Sequence, residues 1–271
     1  RWMDYLVRNQ KTSPTMINIA IFGSTGSIGK NTIEIVKKFP EKFKVKALVA
    51  QSSVKTLASQ ANLLKPEYVV IENEKKYQEL KELINYKCDI LTGRIEVEKI
   101  ASEKFDLLIS AIMGFAGMIP TINAIKAGND IAIANKESLV CAGSLIMKLT
   151  RENGVKMLPI DSEHNAIFQV FENDNLDKIS DVVLTASGGP FLNSNKSFDK
   201  ISVEEALAHP KWKMGKKISI DSATMMNKGL EMIEAYYLFP IKKNQIDIVV
   251  HPQSIIHGIV NYRDGSSLSM M

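Results

Sequence analysis

Short apolar runs alternate with amphipathic stretches through the first half of the chain. Strands are predicted at 17–22, 45–50, 68–71, 107–110 and 131–134. Helical spacing of apolar positions fills the gaps at 27–39, 54–64, 75–86, 119–127 and 138–153. The strand runs are apolar at nearly every position, as expected of strands covered on both faces, and their alternation with helices predicts an α/β fold on a parallel sheet. From residue 155 the pattern changes to longer loops with strand-like runs at 155–160, 179–185, 246–250 and 254–262. An Asp264-Gly265 turn then leads into a last strand that stops at Met271, half of a hairpin. The pattern contains no internal repeat.

Composition narrows the class. A chain of 271 residues with 45% hydrophobic and 24% charged positions has the makeup of a globular protein with one large core or two smaller ones. No apolar run reaches the roughly 18 residues that span a bilayer. The net charge of +4 is small, and its 34 basic and 30 acidic residues are interspersed, so no nucleic-acid partner is expected. Cys88 and Cys141 lack metal or redox spacing and read as reduced, partly buried thiols, which fits a cytoplasmic protein. Residues 1–16 have neither a signal-peptide core nor transit-peptide composition and read as a disordered arm or upstream translated sequence, with Met16 the natural start.

Candidate chemistry begins at Ile19-Ala-Ile-Phe-Gly-Ser-Thr-Gly-Ser-Ile-Gly29, where glycines leave a strand and enter a helix. Gly23, Thr25, Gly26, Ser27, Ile28 and Gly29 are therefore candidates to cradle a dinucleotide pyrophosphate at the helix N-terminus. An NAD enzyme places an acid on the ribose about 20 residues further on. Here the chain reads Ala50-Gln-Ser-Ser-Val-Lys55, so Ser52, Ser53 and Lys55 favour the 2′-phosphate of NADP; Lys55 alone is as well explained as a solvated helix-start lysine. The reading is thus a Rossmann-like NADPH-binding domain over 17–153, followed by a second α/β domain over 154–271. Asn135, Lys136 and Glu137 fall at the carboxyl end of a strand, where open α/β sheets bind ligands.

Two acidic clusters lie downstream. If Asp161 to Glu163 stay extended, both carboxylates share a face; the ordinary alternative is a pair of solvated acids at a helix start. Glu231 and Glu234 sit three apart on a predicted helix, and either could complete an oxygen-rich site suited to Mg2+ or Mn2+. Ser187, Ser222, Asn227 and Lys228 supply donors for a phosphate. His209-Pro-Lys-Trp212 reads as a loop with an exposed aromatic, and His251 and His257 as hydrogen-bonded structural histidines.

The stretches 161–169, 187–191, 209–215, 221–231 and 251–257 resemble, in order, the motifs of the 1-deoxy-D-xylulose 5-phosphate reductoisomerase family. The resemblance runs from residue 17 to 271, and members of that family continue into a C-terminal helical domain beyond it. It implies metal ligation by Asp161, Glu163 and Glu231, with Glu234 supporting them. It also implies that Asn135 and Glu137 meet the cofactor and Lys136 the substrate. Ser187, Ser222, Asn227 and Lys228 would hold the substrate phosphate, and Ser162, Glu163 and Glu231 its carbon chain. A flap would close over the ligand with His209 and Trp212, bringing Gly215 near the cofactor. The implied function is NADPH- and divalent-metal-dependent isomerisation and reduction of 1-deoxy-D-xylulose 5-phosphate to 2-C-methyl-D-erythritol 4-phosphate by a homodimer, in the non-mevalonate isoprenoid precursor pathway. Another NADP-dependent oxidoreductase of small phosphorylated aldehydes, and a non-catalytic NADP-binding dimer, are the competing readings.

Overall fold

The computed structural model describes residues 16–210 and 215–271. They form two compact units, one extending to Ile160 and the other spanning Asp161–Met271.

The first unit is a parallel sheet of β1 (Ile17–Phe22), β2 (Phe43–Ala50), β3 (Tyr68–Ile71), β4 (Asp89–Thr92), β5 (Leu107–Ser110), β6 (Asp130–Ile133) and β7 (Met157–Pro159). Their spatial order is β4-β3-β2-β1-β5-β6-β7. Ile19, Ala20, Ile21, Val69, Val70, Leu108, Ile109 and Ile131 are fully buried, as continuous apolar strands covered on both faces should be. Successive strands run outward from β1 to β4, and the chain then crosses to β5 on the other side of β1. The carboxyl ends of β1 and β5 therefore flank a topological switch point, where such sheets bind ligands.

Most predicted elements of this unit are present, with shifted ends. The helix expected at 138–153 begins at Lys136, and the pattern at 75–86 resolves into a 3-10 turn, Glu74–Lys76, and a short helix, Tyr77–Leu83. The edge strand β4 and the following helix Arg94–Ala101 were not anticipated. The run at 155–160 is a strand, and it extends the first sheet as β7.

The second unit holds β8 (Ile179–Ala186), β9 (Ile246–Val250), β10 (Gly258–Tyr262) and β11 (Ser267–Met270), ordered β11-β10-β8-β9. β10 pairs antiparallel with β11 through the Asp264-Gly265 turn, as the hairpin signal predicts. β10 begins only at Gly258, because the preceding segment turns around His251, whose Nε2 accepts from the backbone N–H groups of Ile255 and Ile256. Two helices, Ser162–Val170 and Met226–Leu238, pack on this sheet through Ile167, Val182, Leu184, Ala235, Phe239 and Val260. The rings of Phe171 and Phe239 meet at 5.3 Å just beyond their ends.

The extended geometry considered for the first acidic cluster is not found. Asp161 to Glu163 do not stay extended: Asp161 is the N-cap of the Ser162–Val170 helix and Glu163 lies in its first turn. The chain turns directly after β7, and acids are favoured at the positive end of a helix. Both cysteines are free, but Cys141 is exposed rather than partly buried. Among the described residues no helix is long and apolar enough to cross a membrane.

Candidate active site

In the first unit the glycine loop leaves β1 in a conformation that side chains would obstruct. Gly23 has φ +87°, and an added Cβ would lie 2.3 Å from the Ala111 carbonyl oxygen. A Cβ on Gly29 would fall 2.4 Å from the Gly23 oxygen, so the helix Ser27–Lys38 can start close against the loop only with glycine there. The first turn of that helix carries no acid, and Gly26 provides no side-chain cap, so its amide end can accept an anion. Thr25 and Ile28 are half-buried, whereas Gly26 and Ser27 are exposed.

Ser52 and Ser53 are exposed at the carboxyl end of β2, beside exposed Lys55 and with no acid between Ala50 and Lys55. Asn135 caps the helix Lys136–Glu152, its side chain accepting from the Ser138 N–H at 2.9 Å. Its amide nitrogen donates to the carbonyls of Ile112 at 2.6 Å and Gly114 at 2.8 Å. Asn135 thus ties the end of β6 to the loop following β5, so the candidate cofactor residues 135 and 137 adjoin the switch point through bonds made to backbone. Glu137 accepts from the same Asn135 amide at 3.3 Å, and Lys136 is buried at the helix start.

The second unit gathers the acidic candidates. Ligand atoms of Asp161, Glu163 and Glu231 lie within 4.8 Å of one another, and a second grouping, Asp161, His164 and Glu234, meets the same distance. The first set offers only hard oxygens, and Glu231 is 1% exposed. Three carboxylates this close, one of them fully buried, repel unless cations stand among them, which is the setting a hard divalent ion fits. Glu231 is the acid that joins Asp161 and Glu163, while Glu234 lies one turn further along the same helix beside His164.

The chain's own donors also converge on these acids. Buried Lys228 donates to Glu231 and sits 3.6 Å from Glu163 Oε1. Asn227 donates to the other oxygen of Glu231, and the Ser162 hydroxyl donates to Glu163 at 2.6 Å. Lys228 and Asn227, read from sequence as phosphate donors, therefore reach the carboxylates. Met225, immediately before their helix, holds φ +60°, a strained conformation for a non-glycine residue at the entrance to a functional segment.

A second polar group forms around the Ser187-Gly-Gly turn. Ser187 Oγ and His209 Nε2 are 3.0 Å apart, and partial burial pushes the His209 imidazole below its ordinary value. Gly189, at φ +69°, lets this turn lie against the peptide of Ser222: an added Cβ would stand 2.6 Å from the Ser222 oxygen. Ser187, His209 and the Ser222 backbone are thus drawn together. Gly215 is the exposed N-cap of the helix Lys216–Ala223, while Trp212 lies outside the described residues.

Two further histidines stand at the acids: His164, given no role from the sequence, and His257, read there as structural. His164 Nε2 bonds the Glu231 carbonyl oxygen at 2.8 Å, and His257 Nδ1 lies 3.8 Å from Glu163 Oε1. The available signal was positional: His164 adjoins Glu163, and His257 precedes Gly258. A Cβ on Gly258 would sit 3.0 Å from the Glu163 carbonyl oxygen, so the glycine brings β10 against the acid-bearing helix.

Comparisons with known proteins identify the family. The family model of 1-deoxy-D-xylulose 5-phosphate reductoisomerase matches residues 19–143, and that of its C-terminal domain matches 157–239. A 1-deoxy-D-xylulose 5-phosphate reductoisomerase of Wolbachia pipientis is 51% identical over 260 residues, covering 94% of this chain and 66% of the relative. One from Thermoanaerobacter is 46% identical over 257 residues, covering 94% and 67%. The chain therefore spans about two thirds of the length of these relatives. Among solved structures, the Zymomonas mobilis enzyme in complex with NADPH is 42% identical with a TM-score of 0.88, covering 95% of this chain and 67% of that one. A reductoisomerase in complex with NADPH, fosmidomycin and magnesium is also 42% identical with a TM-score of 0.88, covering 94% and 66%. A glycine loop at a sheet switch point, three convergent carboxylates and matches across both units lead to one assignment: the chain belongs to the 1-deoxy-D-xylulose 5-phosphate reductoisomerase family.

Proposed function

We propose that this chain forms the nucleotide-binding and catalytic parts of an enzyme that isomerises 1-deoxy-D-xylulose 5-phosphate and reduces the branched aldehyde to 2-C-methyl-D-erythritol 4-phosphate, in the non-mevalonate route to isoprenoid precursors. The carrying observation is the convergence of Asp161, Glu163 and Glu231 from two separate helices. A divalent ion held by these residues would supply Lewis-acid polarisation of the substrate's ketone and hydroxyl oxygens. NADPH, cradled by Gly23 to Gly29 with its 2′-phosphate toward Ser52 and Ser53, would supply the hydride.

The chain's own residues account for the rest. Asn227 and Lys228 hold the Glu231 carboxylate from both oxygens, and Ser162 holds one oxygen of Glu163, so these acids meet an ion already oriented. Ser187, His209 and the segment at Ser222 present hydroxyl and imidazole groups suited to a phosphate, to which Lys228 would add positive charge. Lys136, buried at the end of β6, is the candidate for steadying charge or moving a proton as the carbon skeleton rearranges. Trp212 and Gly215 belong to the segment that would exclude water from the reacting aldehyde.

A cytoplasmic homodimer is the assembly we favour. The free cysteines suit a reducing compartment, and Val249, Val250 and Ile255 leave apolar surface exposed near the edge strand β9. The test is NADPH oxidation with the pentulose phosphate, with and without Mn2+. Metal-dependent oxidation that yields the branched tetritol phosphate is expected. Oxidation independent of metal would indicate a different NADP-dependent oxidoreductase, and NADPH binding without turnover a non-catalytic binding protein.

A further inference from the structure

Glu231 faces a problem that its neighbours Asp161 and Glu163 do not. Those two are fixed relative to each other by one helix start, while Glu231 comes from the middle of a different helix and must be brought into register with them. We infer that His164 and Glu234 form the brace that sets this register: His164, on the first acid-bearing helix, bonds the backbone of Glu231 on the second and lies beside Glu234 one turn along.

The His164 ring is fully buried and Glu234 is 3% exposed. His164 Nε2 meets the Glu231 carbonyl oxygen at 2.8 Å, and because a carbonyl only accepts, Nε2 is the donor. A helical carbonyl has two lone pairs, so this bond adds to the helix ladder instead of competing with it. The other ring nitrogen, Nδ1, faces Glu234 Oε2 at 3.8 Å, longer than a hydrogen bond, so Glu234 lines the ring's second edge by packing and charge while the Nε2 bond is the anchor. Glu231 and Glu234 are one turn apart and share a helix face, so a buried ring bonded to the backbone of one and packed beside the side chain of the other sets the height of that helix and limits its rotation. His164 itself is the residue after Glu163, so any displacement of the ring is transmitted directly to the second metal acid. The two residues act through the ligands, and we class them as positioning residues.

This inference rests on the metal reading proposed above, and its test separates the two. Mn2+ binding is measured by calorimetry on the wild-type chain and on His164→Leu, His164→Gln and Glu234→Gln, with NADPH affinity and circular dichroism followed in parallel. Losing such supporting contacts typically costs about 10- to 100-fold in metal affinity. His164→Leu should weaken Mn2+ binding by roughly that factor while NADPH affinity holds. His164→Gln, whose amide N–H can still reach the Glu231 carbonyl, should recover most of the loss. Saturating Mn2+ should restore turnover in His164→Leu, since the defect lies in affinity. Should His164→Leu fail to fold, Glu234→Gln carries the same comparison with a smaller expected loss. Wild-type protein that binds no Mn2+ would refute the metal reading. Wild-type binding with unchanged affinity in every folded variant, or a Gln variant no better than Leu, would overturn the brace. Two bound ions in wild type and one in His164→Leu would also overturn it, by making His164 a ligand.

Discussion

Gly258 offers a sharp test of how the small sheet fixes the active-site acids. It opens β10 opposite the Ser162–Val170 helix, and an added Cβ would lie 2.8 Å from Ile167 Cγ1 and 3.0 Å from the Glu163 backbone oxygen. The Ile167 side chain can rotate, but the Glu163 oxygen belongs to the helix backbone, so Gly258→Ala must push that helix outward by a few tenths of an ångström. In an open strand, replacing glycine with alanine stabilises by about 0.5–1 kcal/mol. Overpacking a tight contact costs about 1–3 kcal/mol and should prevail here. The net loss is then at most about 2.5 kcal/mol, and at roughly 2–4 °C per kcal/mol for a domain of moderate size Tm should fall by up to about 10 °C. The shifted helix start carries Asp161 and Glu163, so Mn2+ affinity should fall with it. Thermal unfolding and calorimetric Mn2+ titration on the same preparation give both values. A Gly258→Ala protein with equal or higher Tm and unchanged Mn2+ affinity would refute the packing argument.

Ser52→Asp places a carboxylate where a 2′-phosphate is expected; NADPH affinity should fall by roughly tenfold or more, about 1.4 kcal/mol, while NADH binding is spared. Equal losses for both cofactors would move the 2′-phosphate elsewhere. Lys228→Ala removes a charge-assisted donor and should weaken binding of the phosphorylated substrate by about 10- to 100-fold. Its dephosphorylated analogue should be much less affected, and a similar loss for both would confine Lys228 to the carboxylates. Burial disfavours the charged form of His209, so its proton resonance should titrate below the ordinary 6.5, keeping the ring neutral at pH 7. Because this midpoint is lowered, any stability it contributes is present above 6.5 and lost as pH falls through the lowered value. A midpoint above 6.5 would contradict the environment described around Ser187.

How legible each part was in the sequence follows from where its determinants lie. Strands such as Ile17–Phe22 and Leu107–Ser110 announce themselves because burial on both faces demands unbroken apolar runs. β4, Asp89–Thr92, sits at the sheet edge and is only half-buried, so its four residues mix polar with apolar, and the helix after it is just eight residues long. The glycine loop was readable because its demand is local: a backbone path that excludes Cβ. Asp161 and Glu163 lie close together, but at a helix start and not along an extended strand. An N-cap and a first-turn residue project from one helix end, so convergence survives the change from strand to helix. The placement of His164, His257 and Lys228 among the acids comes from packing between residues about 65 to 94 positions apart within the second unit, and no local pattern encodes it.

One divalent ion held by Asp161, Glu163 and Glu231 is what the proposed chemistry depends on most. Crystals of the protein grown with Mn2+ and measured at the manganese absorption edge would locate it by anomalous scattering. A single peak is expected, bonded to one oxygen or more from each of these three carboxylates in an oxygen-rich shell, at distances slightly longer than the ~2.0–2.1 Å of magnesium, with Glu234 and His164 outside it. A peak centred instead on Asp161, His164 and Glu234, or none within the cluster, would contradict it.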